Sequence, residues 1–117
     1  MIVSLTFVRK QEGISDEDFF ARWTRHTETF DLRDHPYITK NRLMKVAGHP
    51  EYVGIAENHW PDLDAMMATA AFYTDTDDGR EHWADLQTFM DIDASPTVIV
   101  TEEADVADTG TTITAYL

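Results

Sequence analysis

The chain has 117 residues, no cysteine, and 22 acidic against 9 basic residues, a formal net charge of −13. That length suits one domain, and a 43% apolar content with three Trp, six Phe and four Tyr can fill its core. The charge excludes the clustered Lys and Arg that nucleic acid and anionic membranes require, and the absence of Cys excludes disulfides and thiolate metal sites and fits a reducing cytoplasm.

Ile2 to Val8 is rich in β-branched and aromatic residues and reads as a first strand. Val3, Leu5 and Phe7 share one face; Ile2, Ser4, Thr6 and Val8 share the other. Apolar groups on both faces predict a central strand covered on each side. Met1-Ile2-Val3 runs straight into this strand and gives no basic signal region, and no stretch is long and apolar enough to span a bilayer.

Gly13 breaks the strand, and Ser15-Asp16-Glu17-Asp18 is a close variant of a capping box, with acids at the positive end of a helix dipole. The helix it opens runs to about Phe30. Its apolar stripe is Phe19, Trp23, His26 and Phe30, all on one face. Asp34-His35-Pro36 interrupts it, because Pro cannot continue the hydrogen-bond ladder.

Tyr37 to Val46 and Tyr52 to Trp60 alternate, with Gly48-His49-Pro50 between them, and predict a β-hairpin. Asp62 is the predicted N-cap of a second helix with Leu63, Met66, Met67 and Ala70 as its stripe. A polar break from Thr74 to Gly79 precedes a further helical segment marked by Trp83, Leu86 and Met90. A last strand spans Thr97 to Glu102. The order strand, helix, strand, strand, helix, strand predicts an α+β fold, the ferredoxin-like βαββαβ arrangement, over residues 1–103. Its four-stranded antiparallel sheet carries helices on one face. The other face is partly apolar, and two copies packed sheet to sheet would cover it, so a homodimer is expected. Residues 104–117 form an extension that turns acidic and then alternates, suited to an extra strand on its own chain or its partner's.

Three segments carry a family resemblance. They are Gly13-Ile14-Ser15-Asp16-Glu17-Asp18-Phe19 entering a helix that bears Trp and His, Tyr52-Val53-Gly54-Ile55-Ala56-Glu57 as third strand, and Phe89-Met90-Asp91 ahead of a strand ending Thr101-Glu102-Glu103. In order and spacing they resemble the EthD-like family of the dimeric α/β-barrel superfamily, over nearly the whole chain. The resemblance implies a homodimer whose sheets form a barrel, with a pocket in each subunit between sheet and helices. Its relatives include polyketide cyclases, dehydratases, muconolactone-type isomerases, cofactor-free monooxygenases and haem-binding proteins, so it implies function only broadly.

An imidazole is the side chain suited to general acid or base work at neutral pH, which makes His26 the catalytic candidate, with Trp23 and Phe30 as pocket walls and Phe19 beside them. It also suits a core histidine bonded to a carbonyl. His59 lies two residues beyond Glu57 on one strand face, where the carboxylate could orient it toward the pocket if that face meets the helices. His82 and Trp83 on the last helix, with Tyr37 and Asn41 on the second strand, are the remaining candidate substrate contacts. Tyr37 and Asn41 suit stabilisation of a developing enolate. No metal-ligand spacing and no Gly-rich phosphate loop occurs, so no cofactor is expected, with haem held by His26 or His82 as an alternative.

The leading expectation is an enzyme that abstracts a proton beside the carbonyl of a small aromatic or polyketide-like ketone, leading to cyclisation, isomerisation or dehydration. A cofactor-free monooxygenase and a non-catalytic binding protein for a hydrophobic metabolite stay open beside it.

Overall fold

The computed structural model describes residues 1–30 and 37–101. β1 (Ile2–Val8) is followed by α1 (Asp16–Thr29), then β2 (Lys40–Lys45) and β3 (Gly54–Trp60). Two helices come next, α2 (Leu63–Asp75) and α3 (Asp77–Gln87), before β4 (Thr97–Val100). The sheet order is β2-β3-β1-β4 with every neighbour antiparallel. This is the expected ferredoxin-like α+β topology, with β1 and β3 central. No described helix is long and apolar enough to cross a membrane.

The helix ends follow their caps. Ser15 Oγ accepts from the Asp18 amide at 3.1 Å, and Asp62 Oδ1 accepts from the Ala65 amide at 2.8 Å, each satisfying an otherwise orphaned donor. The expected polar break from Thr74 to Gly79 shrinks to one residue. Thr76 Oγ1 donates to the Phe72 carbonyl at 2.7 Å and accepts from the Gly79 amide at 3.0 Å, closing α2 and opening α3 with one hydroxyl. Gly79 is required at this elbow because a Cβ there would overlap the Phe72 carbonyl.

The strand faces are set by register. Ser4 and Thr6 pair with Asn58 and Ala56, so these residues share the face toward the helices with Asn41, Leu43 and Thr97. Val3, Leu5 and Phe7 pair with His59, Glu57 and Ile55 on the opposite face. Both hairpin strands start later than their alternating patterns predict, so Tyr37 precedes β2 and Tyr52 precedes β3. The stripe of α2 is also rotated from the one expected. Leu63 and Met67 are exposed, at 52% and 64%, and Thr69 is buried. The segments 31–36 and 102–117 lie outside the described residues, and with them the Asp34-His35-Pro36 break, the end of the predicted last strand and the tail.

One end of the space between helices and sheet is solid. Val8, Phe19, Trp23, Phe89 and Met90 form this core, with Ile14, Leu86 and Ile92 packed on it. Gly54 makes it possible, because a Cβ there would stand 2.5 Å from Trp23 Cζ3. The indole therefore lies directly on β3. The other end is hollow.

Candidate active site

That hollow is a cavity of about 570 Å³ between sheet and helices, within the range of small-molecule sites. Its floor is polar. Ser4, Thr6, Asn41, Asn58 and Thr97 present side chains from all four strands. Thr6 and Thr97 hydroxyls lie 2.9 Å apart, Asn41 Nδ2 donates to Asn58 Oδ1 at 2.5 Å, and Trp60 Nε1 donates to Ser4 Oγ at 3.1 Å. Asn58 Oδ1 is thus occupied, and the Asn58 Nδ2 remains a donor on a residue that lines the cavity.

The roof is aromatic. Trp23 and His26 come from α1, Phe30 from its C-terminal cap, Tyr73 from α2, and His82 and Trp83 from α3. His26 meets His82 edge to face at 4.5 Å and Phe30 at 4.9 Å, while Tyr73 touches both His82 and Trp83. Burial pushes the Tyr73 phenol up to about 12, so it is a neutral hydroxyl at physiological pH. Among the described lining residues there is no Asp, Glu, Lys or Arg. Those described residues offer imidazoles, amides, hydroxyls, a phenol and ring faces as their polar and aromatic chemistry.

His26 is 5% exposed, with Nδ1 2.6 Å from Asp85 Oδ2 on α3. The α1 stripe thus does bring an imidazole to a cavity wall. Among the candidates read from the sequence, the structure gathers Trp23, His26, Phe30, Asn41, His82 and Trp83 around one space. It does not gather Phe19, which is fully buried in the core behind Trp23, or Tyr37, which is not among the lining residues. His59 is corrected as well. It stands on the sheet face turned from the helices, where its Nε2 donates to Glu57 Oε2 at 2.9 Å. That bond, helped by Arg42 and Lys40 against the opposing effect of burial, holds the Glu57 carboxyl below its ordinary range. The pair is a local ion cluster of the outer face and has no access to the cavity.

Sequence reasoning missed Asn58, Trp60, Tyr73 and Asp85. Asn58 and Trp60 follow from the same two-residue alternation that was applied to Glu57 and His59, taken on the other face. Asp85 gives no local signal, since its partner is on another helix.

No family model matches the chain, and no curated protein matches it in sequence. Solved structures do match its fold. An ethyl tert-butyl ether D (EthD) family protein from Bacillus halodurans is 18% identical, with a TM-score of 0.63 over 88% of this chain and 100% of that one. SnoaB from Streptomyces nogalater, a cofactor-independent oxygenase, is 14% identical in one mutant structure, with a TM-score of 0.62 over 92% of this chain and 97% of its own. A dimeric protein of unknown function and ferredoxin-like fold from Bacteroides fragilis is 10% identical, with a TM-score of 0.62 over 85% and 93% of the two chains. At such identities these similarities establish the ferredoxin-like fold that the EthD-like resemblance implied.

Proposed function

We propose that the protein is an enzyme whose cavity takes a neutral, largely aromatic ketone of polyketide-like character and removes a proton next to its carbonyl. One observation carries this reading: a buried imidazole, His26, borders an aromatic cavity whose lining among the described residues bears no Asp, Glu, Lys or Arg and includes amide and hydroxyl groups from the sheet. Desolvating a charged ligand there would go uncompensated, which favours neutral molecules. His26 takes the proton, and the Asn58 amide and Tyr73 hydroxyl are the donors suited to the oxygen on which negative charge develops. Trp23, Phe30 and Trp83 hold the ring system. Cyclisation, isomerisation or loss of water then follows from the substrate's own structure, and proton transfer of this kind needs no cofactor.

The fold shared with a cofactor-independent oxygenase favours a second reading, in which the carbanion formed in the same cavity reacts with dioxygen. The outer sheet face, with part-exposed Leu5, Phe7 and Ile55 beside exposed Val98, supports a homodimer, as described for two proteins of this fold. The cysteine-free composition supports a cytoplasmic setting.

The test uses 1-tetralone and anthrone as probes, following by NMR in D2O the exchange of the carbonyl-adjacent methylene protons of the first and of the ring methylene protons, conjugated with the carbonyl, of the second, with oxygen uptake in parallel. Exchange without oxygen uptake supports the first reading; oxygen uptake supports the second. His26→Ala should lower either rate by about 10²–10⁴-fold while leaving probe affinity within a few-fold. Binding without turnover would leave the protein an accessory carrier of hydrophobic metabolites. Absence of binding by any neutral aromatic probe would sink the proposal.

A further inference from the structure

His26 sits in a wall between two spaces. Its ring borders the cavity, whereas Asp85, bonded to its Nδ1, lines a surface cleft beyond the α1–α3 contact together with Asp18, Arg22, Arg25 and Thr88. The Asp85 side chain is 45% exposed. Of the charged groups around it, Arg22 is tied to Asp18 at 3.1 Å, and Arg25 lines the same cleft. The imidazole is otherwise enclosed by the rings of Phe30, His82 and Phe89 at 4.5–5.6 Å.

An ionised carboxylate only accepts hydrogen bonds, so the proton between Asp85 and His26 belongs to Nδ1. That leaves the lone pair on Nε2, the nitrogen a base inside the cavity must use. Protonation of Nε2 would create a cation among aromatic rings, in a cavity whose described lining holds no carboxylate, a costly state unless it is paired. The only carboxylate bonded to His26 among the described residues reaches it through the wall.

We infer that Asp85 is a positioning residue, which holds His26 in the Nδ1-protonated tautomer and balances from outside the cavity the charge that the imidazole acquires. The inference rests on the reading of His26 as base. The C–H proton passes to Nε2, its electron pair stays on the ligand as an enolate, and Nε2 later returns the proton to the product carbon or the departing oxygen. Asp85 stays ionised throughout. Its place outside explains how the base can be paired while the cavity keeps a lining suited to neutral ligands.

The test reads the tautomer directly. In the full chain labelled with ¹⁵N, long-range proton–nitrogen correlation spectra of His26, assigned with His26→Gln, should show Nε2 as the unprotonated nitrogen. Asp85→Glu should keep that pattern and Asp85→Asn should lose it, with thermal unfolding reporting whether each variant is folded. With 1-tetralone, Asp85→Asn should lower kcat for exchange by about 10²-fold with KM changed less than twofold, and Asp85→Glu should recover part of the loss. A wild-type His26 protonated at Nε2, or the same tautomer in folded Asp85→Asn, overturns the inference. Should Asp85→Asn fail to fold, the wild-type and Asp85→Glu spectra decide it. Exchange lost in His26→Ala but kept in Asp85→Asn overturns positioning while sparing the base; a tautomer that follows Asp85 in a protein without exchange activity supports the positioning and defeats the base reading.

Discussion

Replacing Gly54 with alanine should destabilise the protein through Trp23. The new Cβ would stand 2.5 Å from Trp23 Cζ3 and 3.0 Å from the Met44 carbonyl oxygen. Carbon atoms prefer about 3.5–4.0 Å, so the first contact is short by about 1 Å. Neither side yields easily. The indole is 5% exposed and packs edge-on against Phe19 at 5.3 Å, and Gly54 pairs with both Val8 and Lys45 in the sheet. Overpacking of this kind costs about 1–3 kcal/mol, and the stiffer unfolded chain offsets about 0.4–1 kcal/mol of it. A net loss of roughly 1–2 kcal/mol follows, which at this chain length lowers Tm by roughly 3–10 °C. Urea and thermal unfolding followed by circular dichroism measure it. In a Trp23→Phe background the clash partner is gone, so the same alanine should cost almost nothing, a coupling of about 1 kcal/mol or more. An unchanged Tm, or an equal cost in both backgrounds, would refute the close approach as the reason for glycine.

Three further outcomes are expected. Because the folded-state pKa of Glu57 lies below its unfolded value of 4.5, its contribution to stability is full above that pH and fades as pH falls through the folded value. The stabilities of wild type and Glu57→Gln from urea curves should therefore converge as pH falls below 4.5, and parallel behaviour would remove the His59 hydrogen bond as the cause. Tyr73, pushed up to about 12, should stay un-ionised at pH 10.0, so Tyr73→Phe should leave the tyrosinate absorbance at that pH unchanged. Ser15→Ala should cost about 1 kcal/mol in urea unfolding by freeing the Asp18 amide, with Ser15→Asp recovering most of it.

Periodicity made the topology legible: the α1 stripe, both caps and the strand order are local patterns that tertiary packing had no reason to override. It also delivered half of the site, because Trp23, His26 and Phe30 share a helix face whatever that face covers. Strands are less generous. A period of two assigns residues to faces without saying which face meets the helices, and Glu57 with His59 proved to lie on the wrong one while Asn58 and Trp60 took the cavity side. In α2 the expected stripe held in part: Met66 and Ala70 line the cavity with Thr69 and Tyr73, while Leu63 and Met67 are exposed. The Asp85–His26 contact joins positions 59 apart in sequence and arises only when α3 lies beside α1.

The hydroxyl of Thr76 has a consequence for what the cavity can admit. Since it bonds to groups of both α2 and α3, and Gly79 leaves no room for a side chain at their corner, the two helices form one bracket. Tyr73 sits on one arm of that bracket, and His82 and Trp83 sit on the other, so their mutual spacing is set by backbone geometry at the corner and not by the ligand. A bulkier molecule would have to tilt the whole bracket from the sheet instead of spreading its arms. Size selection therefore has two separable sources: side-chain volume on the arms, and the seating of the bracket on β3.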